Sequence, residues 1–180
     1  QNSGLNSDRV RDVIEDFDGN IVVSSNGGIN VLRNDKIIES YDTKDGLVNT
    51  EILTLCEGSD GTIYAGSDGG GIYVLRDGKI SSIDGEDELK SDVILRIKQE
   101  PRRERYWVIT GNSIAYMEDE EIKTVQEFPY SNNFDLFFTG TGDVWVLSGN
   151  GIYVVKESDL LSGKPFQYQF FSIADGMPSA

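Results

Sequence analysis

The stretch GNIVVSSNGGINVL (19–32) is written more than once. It returns as GTIYAGSDGGGIYVL (61–75), as RYWVITGNSIAYM (105–117) and as GDVWVLSGNGIYVV (142–155). The central residues of the apolar run, Val22, Tyr64, Trp107 and Trp145, lie 42, 43 and 38 residues apart. An alternating strand precedes each core, at 10–16, 52–58, 93–99 and 134–140. Another follows it after a polar turn, at 36–42, 79–84, 121–128 and 166–173. No stretch carries a helical apolar stripe. Four strands per repeat of about 42 residues, joined by tight turns, is the blade of a β-propeller. The expectation is an all-β chain, a propeller segment of four four-stranded blades.

The joints between repeats rhyme as well. SGLNSDRV (3–10) matches DGLVNTEI (45–52), DELKSDV (87–93) is a looser copy, and DGMPSA (175–180) begins the phrase again. Approximate repeat bounds are therefore 3–44, 45–86, 87–128 and 129–174, with 175–180 starting the next. A blade is a small twisted sheet with two faces to cover. In an open arc the first and last blades keep one face bare. Three to six large apolar side chains there, at about 1.5–3 kcal/mol each, rival the ~5–15 kcal/mol stability of a whole domain. The arc is expected to belong to a larger ring or to close by self-association.

Charge and residue usage narrow the function classes. Thirty-one acids stand against 16 bases, a net charge of −15. Such a field repels phosphates, which excludes nucleic acid and an anionic membrane as natural partners. No apolar run approaches the ~20 residues of a membrane span, so no membrane insertion by this segment is expected. Histidine is absent, which removes the commonest general base and metal ligand. The single cysteine, Cys56 in ILTLC, reads as a small buried strand residue. Paired carboxylates could still act alone in glycoside hydrolysis, but no acid is singled out by its setting. The chain is read as noncatalytic, with no cofactor.

The Asp-Gly clusters at 16–20 and 58–62 lack the full carboxylate set of a calcium loop and recur where a hairpin turns. No metal site is assigned, and the acidic cluster 84–88 reads as a solvated joint. SDGGGI (67–72) is followed by a strand, not by the helix a phosphate loop needs. Tyr64, Trp107 and Trp145 are expected to pack between blades. With the first strand of each repeat innermost, the joints before it and the turns between strands two and three share one face of the ring. That face would present Asn26, Asp68, Asn112 and Asn150 from one set, and Asn49, Asp87, Lys90, Tyr130 and Asn132 from the other. Polar groups with an occasional aromatic suit hydrogen bonding and stacking to a small molecule or an oligosaccharide.

In the first copy the recurring positions are Val10, Val13, Asp16, Asp18, Gly19, Ile21, Val23, Ser25, Gly28 and Leu32, then Asp45, Gly46 and Leu47. The second copy follows through Asp60, Gly61, Ile63, Gly66, Ser67, Gly70, Gly71 and Leu75. The pattern resembles the two-component regulator propeller repeat. The third copy departs from it, with EPRRER (100–105) in place of the Asp-Gly turn. The resemblance implies the sensor region of a bacterial hybrid histidine kinase or diguanylate cyclase receptor, on the periplasmic or extracellular face of the inner membrane. A kinase or cyclase output would follow in the full-length protein. It implies carbohydrate sensing too, as several members in gut bacteria detect carbohydrate fragments. Such sensors carry many more repeats and a small β-sandwich, neither of which lies within these 180 residues. A protein-binding propeller scaffold, and a propeller lyase or glycosidase, are the alternatives.

Overall fold

Each of the four cores folds as the centre of one antiparallel sheet. The computed structural model describes residues 4–83, 85, 88–101, 103–129 and 132–176. The first sheet holds β1 (Val10–Glu15), β2 (Ile21–Ser25), β3 (Gly28–Arg33) and β4 (Lys36–Tyr41). The second holds β5 (Ile52–Glu57), β6 (Ile63–Ser67), β7 (Ile72–Arg76) and β8 (Lys79–Ile83). The third holds β9 (Ile94–Gln99), β10 (Tyr106–Thr110), β11 (Ile114–Glu118) and β12 (Glu121–Thr124). The fourth holds β13 (Asn133–Phe138), β14 (Asp143–Ser148), β15 (Gly151–Lys156) and β16 (Gln169–Phe171). In every sheet the strands pair in chain order, the meander of a propeller blade. A four-residue helix, α1 (Glu157–Leu160), and a 3-10 turn at Ile173–Asp175 are the other described elements.

Burial follows position in the blade. In the two inner blades the middle strands are covered on both faces by a neighbouring blade: β6 is buried at every residue. The last strand alternates, with β8 reading exposed and half-buried. The innermost strands β1, β5, β9 and β13 share a bulge near their start, where the register shifts at Val10/Asp12, Ile52/Thr54, Ile94/Arg96 and Asn133/Asp135. Asp12, Thr54, Arg96 and Asp135 are therefore structurally equivalent.

The innermost strand is an edge, and its outward N–H groups need acceptors. The residue just after the bulge supplies them across the joint. Asp12 Oδ2 accepts from Leu55 N at 2.9 Å, and Thr54 Oγ1 accepts from Ile97 N at 3.5 Å. Arg96 has no acceptor to offer. The fourth blade accordingly satisfies Leu136 N from its own Asp135 Oδ1, at 2.8 Å.

Three apolar joints hold the four blades. Val22, Ile29 and Val31 of the first pack on Leu55, Ile63 and Ala65 of the second. Tyr64, Ile72 and Val74 of the second meet Ile97, Val108 and Met117 of the third. Trp107, Ile109 and Ile114 of the third meet Leu136, Val144 and Val146 of the fourth. At the second joint Gly66 is a packing requirement: a Cβ there would stand 2.5 Å from Ile94 Cγ2.

The terminal blades keep their outer faces open. The first exposes Val10, Val13 and Ile21, and the fourth exposes Phe134, Phe137 and Leu147. This settles the three aromatics expected between blades. Tyr64 and Trp107 are buried there, at 6% and 0% exposure. Trp145 holds the same ladder position, paired with Phe137 and Val154. It looks outward instead and stacks on Phe171 of its own blade, centroids 6.0 Å apart. The outermost strand of the fourth blade is also shorter than the sequence pattern suggests. The connection carrying α1 intervenes after β15, and Leu160 drops from it into the third joint at 2% exposure.

Candidate functional site

Backbone hydrogen bonds bring the two predicted loop sets to one end of the arc. The N–H of Asn26 donates to Arg9 O at 3.0 Å, that of Asp68 to Glu51 O at 2.9 Å, and that of Gly149 to Asn132 O at 3.1 Å. In the third blade Asn112 Nδ2 donates to Lys90 O at 3.2 Å. Each turn between the two middle strands thus rests on the joint that leads into its blade.

Several of the predicted amides are spent on this scaffolding. Asn26 Oδ1 accepts from Arg11 Nε at 2.8 Å, and its carbonyl accepts from Thr50 Oγ1 at 3.0 Å, tying the first blade to the segment that leads into the second. Asn49 Nδ2 donates to Asp68 O, its Oδ1 accepts from Glu51 N at 2.9 Å, and its N–H donates to the Tyr73 hydroxyl at 2.8 Å. Asn112 Oδ1 accepts from Thr110 Oγ1 at 3.0 Å. Asp68, Lys90, Asn132 and Asn150 are exposed, with Asn132 held at a left-handed φ of 49°. Asp87 and Tyr130 lie outside the described residues. Beside these loops, between the second and third blades, is a cavity of about 500 Å³ lined by Val48, Gly69, Gly70, Tyr73, Ile83 and Asp92.

The innermost strands make a second cavity, also about 500 Å³, which was not anticipated from the sequence. Its charged members include the post-bulge residues Asp12, Arg96 and Asp135, with Glu15, Glu57 and Lys98 beside them. Arg96 lies 3.7 Å from Asp12 and 3.7 Å from Asp135, and Lys98 Nζ reaches Asp135 at 3.1 Å and Leu136 O at 2.7 Å. The Arg96 Nε–H has no hydrogen-bond acceptor although the atom is buried. Cys56 also lines this groove, and burial pushes its thiol up to about 11. Aligning the post-bulge position of each innermost strand would have revealed the set, but the bulge that defines the position leaves no mark in composition.

At the opposite end a cavity of about 380 Å³ holds Tyr64, Arg76, Glu104, Tyr106 and Glu120. The two tyrosine rings are 4.6 Å apart. Arg76 Nη2 lies 2.7 Å from Glu120, and the Tyr106 hydroxyl donates to Glu104 at 2.7 Å. Hydrogen bonds from Ser59 and Tyr106 hold the Glu104 carboxyl below the ordinary glutamate value. Burial and Glu104 raise Tyr106. Between the third and fourth blades, Arg105 joins three acids: Glu100 at 2.7 Å, Glu118 at 2.7 Å and Glu157 at 3.1 Å. Glu100 also accepts from Trp107 Nε1 at 3.4 Å. The closely placed Glu100 and Glu157 are thus held by arginine, an arrangement that locks a joint rather than presenting a free acid and base.

No protein-family model matches the chain, and no curated protein matches it in sequence. Solved structures do match it in shape. The extracellular domain of a hybrid two-component system from B. thetaiotaomicron superposes with a TM-score of 0.78 at 20% identity, over 94% of this chain and 24% of that one. The extracellular domain of a one-component system from the same organism gives 0.74 at 15% identity, over 94% and 24%. Virginiamycin B lyase from Staphylococcus aureus gives 0.69 at 18% identity, over 91% and 55%. The chain thus spans about a quarter of the length of the receptor domains it matches. At these identities the likeness establishes the architecture: the four sheets are blades of a β-propeller.

Proposed function

We propose that the chain is a noncatalytic ligand-sensing module of a bacterial signal-transduction receptor, from the two-component regulator propeller family, displayed on the periplasmic or extracellular face of the inner membrane. The observation that carries this reading is the superposition of all four blades on receptor ectodomains, joined to the repeat pattern from Val10 to Leu47. The ligand is a small neutral polar molecule, an oligosaccharide being the best fit to a strongly acidic surface with polar loops. It binds at the loop end, where Asp68, Lys90, Asn132 and Asn150 project and the cavity beside Tyr73 opens. Asn26, Asn49 and Asn112 act there by fixing the loops.

One finding weighs against the lyase alternative. The Staphylococcus aureus lyase with a histidine changed to alanine is described as catalytically inactive, and the present chain has no histidine at all. A glycan array followed by calorimetry tests the proposal. Binding of a defined oligosaccharide, weakened at least tenfold by Asp68→Ala or Asn150→Ala, is expected. Capture of protein partners with no glycan or small-molecule binding would favour the scaffold reading, and turnover of any bound sugar would overturn the noncatalytic one.

A further inference from the structure

At the end of the arc away from the loop set, the two middle blades enclose the cavity of about 380 Å³ that holds Tyr64. Asp60 and Arg76 line it from the second blade, and Glu104, Asp119 and Glu120 from the third, so it owes nothing to the outer faces of the first and fourth. The ladder position of Tyr64 is filled by Trp107 in the third blade, where the polar atom is used: Trp107 Nε1 donates to Glu100 at 3.4 Å. Tyr64 is 6% exposed, yet its hydroxyl makes no hydrogen bond among the described residues. A phenol buried this deeply ordinarily finds a partner. Burial, then Glu120 and Asp60, raise it above the ordinary tyrosine value, so it stays a neutral hydroxyl able to accept.

The charges around that hydroxyl do not balance. Four carboxylates, Asp60, Glu104, Asp119 and Glu120, face one guanidinium. Arg76 lies 2.7 Å from Glu120 but 3.9 Å from Asp60, and its Nε donates to Thr62 Oγ1 at 2.8 Å. Asp119 makes no hydrogen bond or ion pair among the described residues and stands exposed at the rim. The surplus calls for a cation. A divalent metal matches poorly, because a guanidinium already stands inside and no three acidic side chains among the described residues are placed to hold an ion. An ammonium matches better, with one charge and three N–H donors for unused acceptors.

We propose that this cavity binds a primary alkylammonium group, which donates to the Tyr64 hydroxyl within the negative field of Asp60, Asp119 and Glu120. The group is carried by a free amine or by a lysine side chain of another polypeptide. The net charge of −15 draws either one toward the chain. This site is separate from the loop end and does not depend on what the loops bind.

Calorimetry with n-butylammonium chloride tests it, against tetramethylammonium, which has the charge without N–H groups, and n-butanol, which lacks the charge. Saturable binding of n-butylammonium alone is expected, weakened by added salt. Tyr64→Phe deletes a hydroxyl that the fold does not use, and is expected to weaken binding about tenfold. Asp119→Asn, at an exposed turn whose φ of 51° suits asparagine, should weaken it as well and serves if Tyr64→Phe melts early. Asp68→Ala, at the loop end, is expected to leave it unchanged. A lysine-containing peptide that binds more tightly than n-butylammonium identifies a polypeptide as the source; weaker binding of the peptide identifies a free amine. Absence of binding overturns the proposal. So does tetramethylammonium or n-butanol that binds as well as n-butylammonium, and so does binding that Tyr64→Phe and Asp119→Asn leave unchanged.

Discussion

Glu100 is 4% exposed, and a carboxylate buried so deeply calls for a paired cation. Arg105 supplies one while also bridging Glu118 and Glu157. Arg105→Ala is therefore expected to destabilise the chain by roughly 3–5 kcal/mol, the cost of stranding a buried charge, read from urea unfolding. Glu157 behaves differently. Burial, then the adjacent Glu100 carboxyl, raises it above the ordinary glutamate value. The folded chain therefore holds this proton to higher pH than the unfolded chain does. The contribution of Glu157 favours the fold below the ordinary glutamate range and is lost as pH rises through the raised value. Glu157→Gln is expected to flatten that part of the stability profile; parallel profiles for variant and parent would refute the assignment. Cys56, with its thiol pushed up to about 11, should react slowly with a thiol reagent at pH 8 in the folded chain and much faster in denaturant. Residue roles were the least legible level of the sequence. Nothing in RDVIED or LRIKQ marks Asp12 and Arg96 as neighbours, because only the bulge and the curvature of the arc bring them together.

The elements were far more legible. Alternation, helped by Asp-Gly punctuation in the first two copies, placed all four innermost strands within a residue or two of where they lie, since each half-buried strand must alternate and each tight turn needs its own chemistry. The shortfalls have physical causes. The pattern 166–173 pairs only over Gln169–Phe171 because α1 and its loop take up chain that the other blades give to a tight turn. Trp145 reads like Trp107 because register is written in the sequence, whereas a missing neighbour is not. Packing between elements gives a sharp expectation at the second joint. Gly66→Ala forces Ile94 aside and is expected to cost about 1–3 kcal/mol. Ile94→Ala removes the Cγ2 methyl that the new Cβ would strike, so the double variant should lose less than the two single changes added together. Additive losses in chemical denaturation would mean that the two residues do not press on each other.

For the whole molecule, open terminal faces and a net charge of −15 act in opposition. Apolar area favours association, while like charge resists it over distances of about 10 Å at 0.1 M salt. Any self-association of the chain should therefore strengthen as salt is raised, and the melting temperature should then climb with protein concentration. With Trp107→Phe, the remaining Trp145 reports directly: its emission is expected to shift to the blue and to resist acrylamide as concentration rises. An emission independent of concentration would contradict burial of that ring.

The substitution of arginine for an acceptor at position 96 has a mechanical consequence. Two of the seams along the central axis are sewn by a neutral or carboxylate acceptor taking a main-chain N–H from the adjoining blade. The remaining seam is fastened by Arg96 and Lys98 reaching for Asp135 and a carbonyl. High ionic strength should slacken that one fastening more than the two main-chain hydrogen bonds, so under load the arc gives way first where its last blade begins.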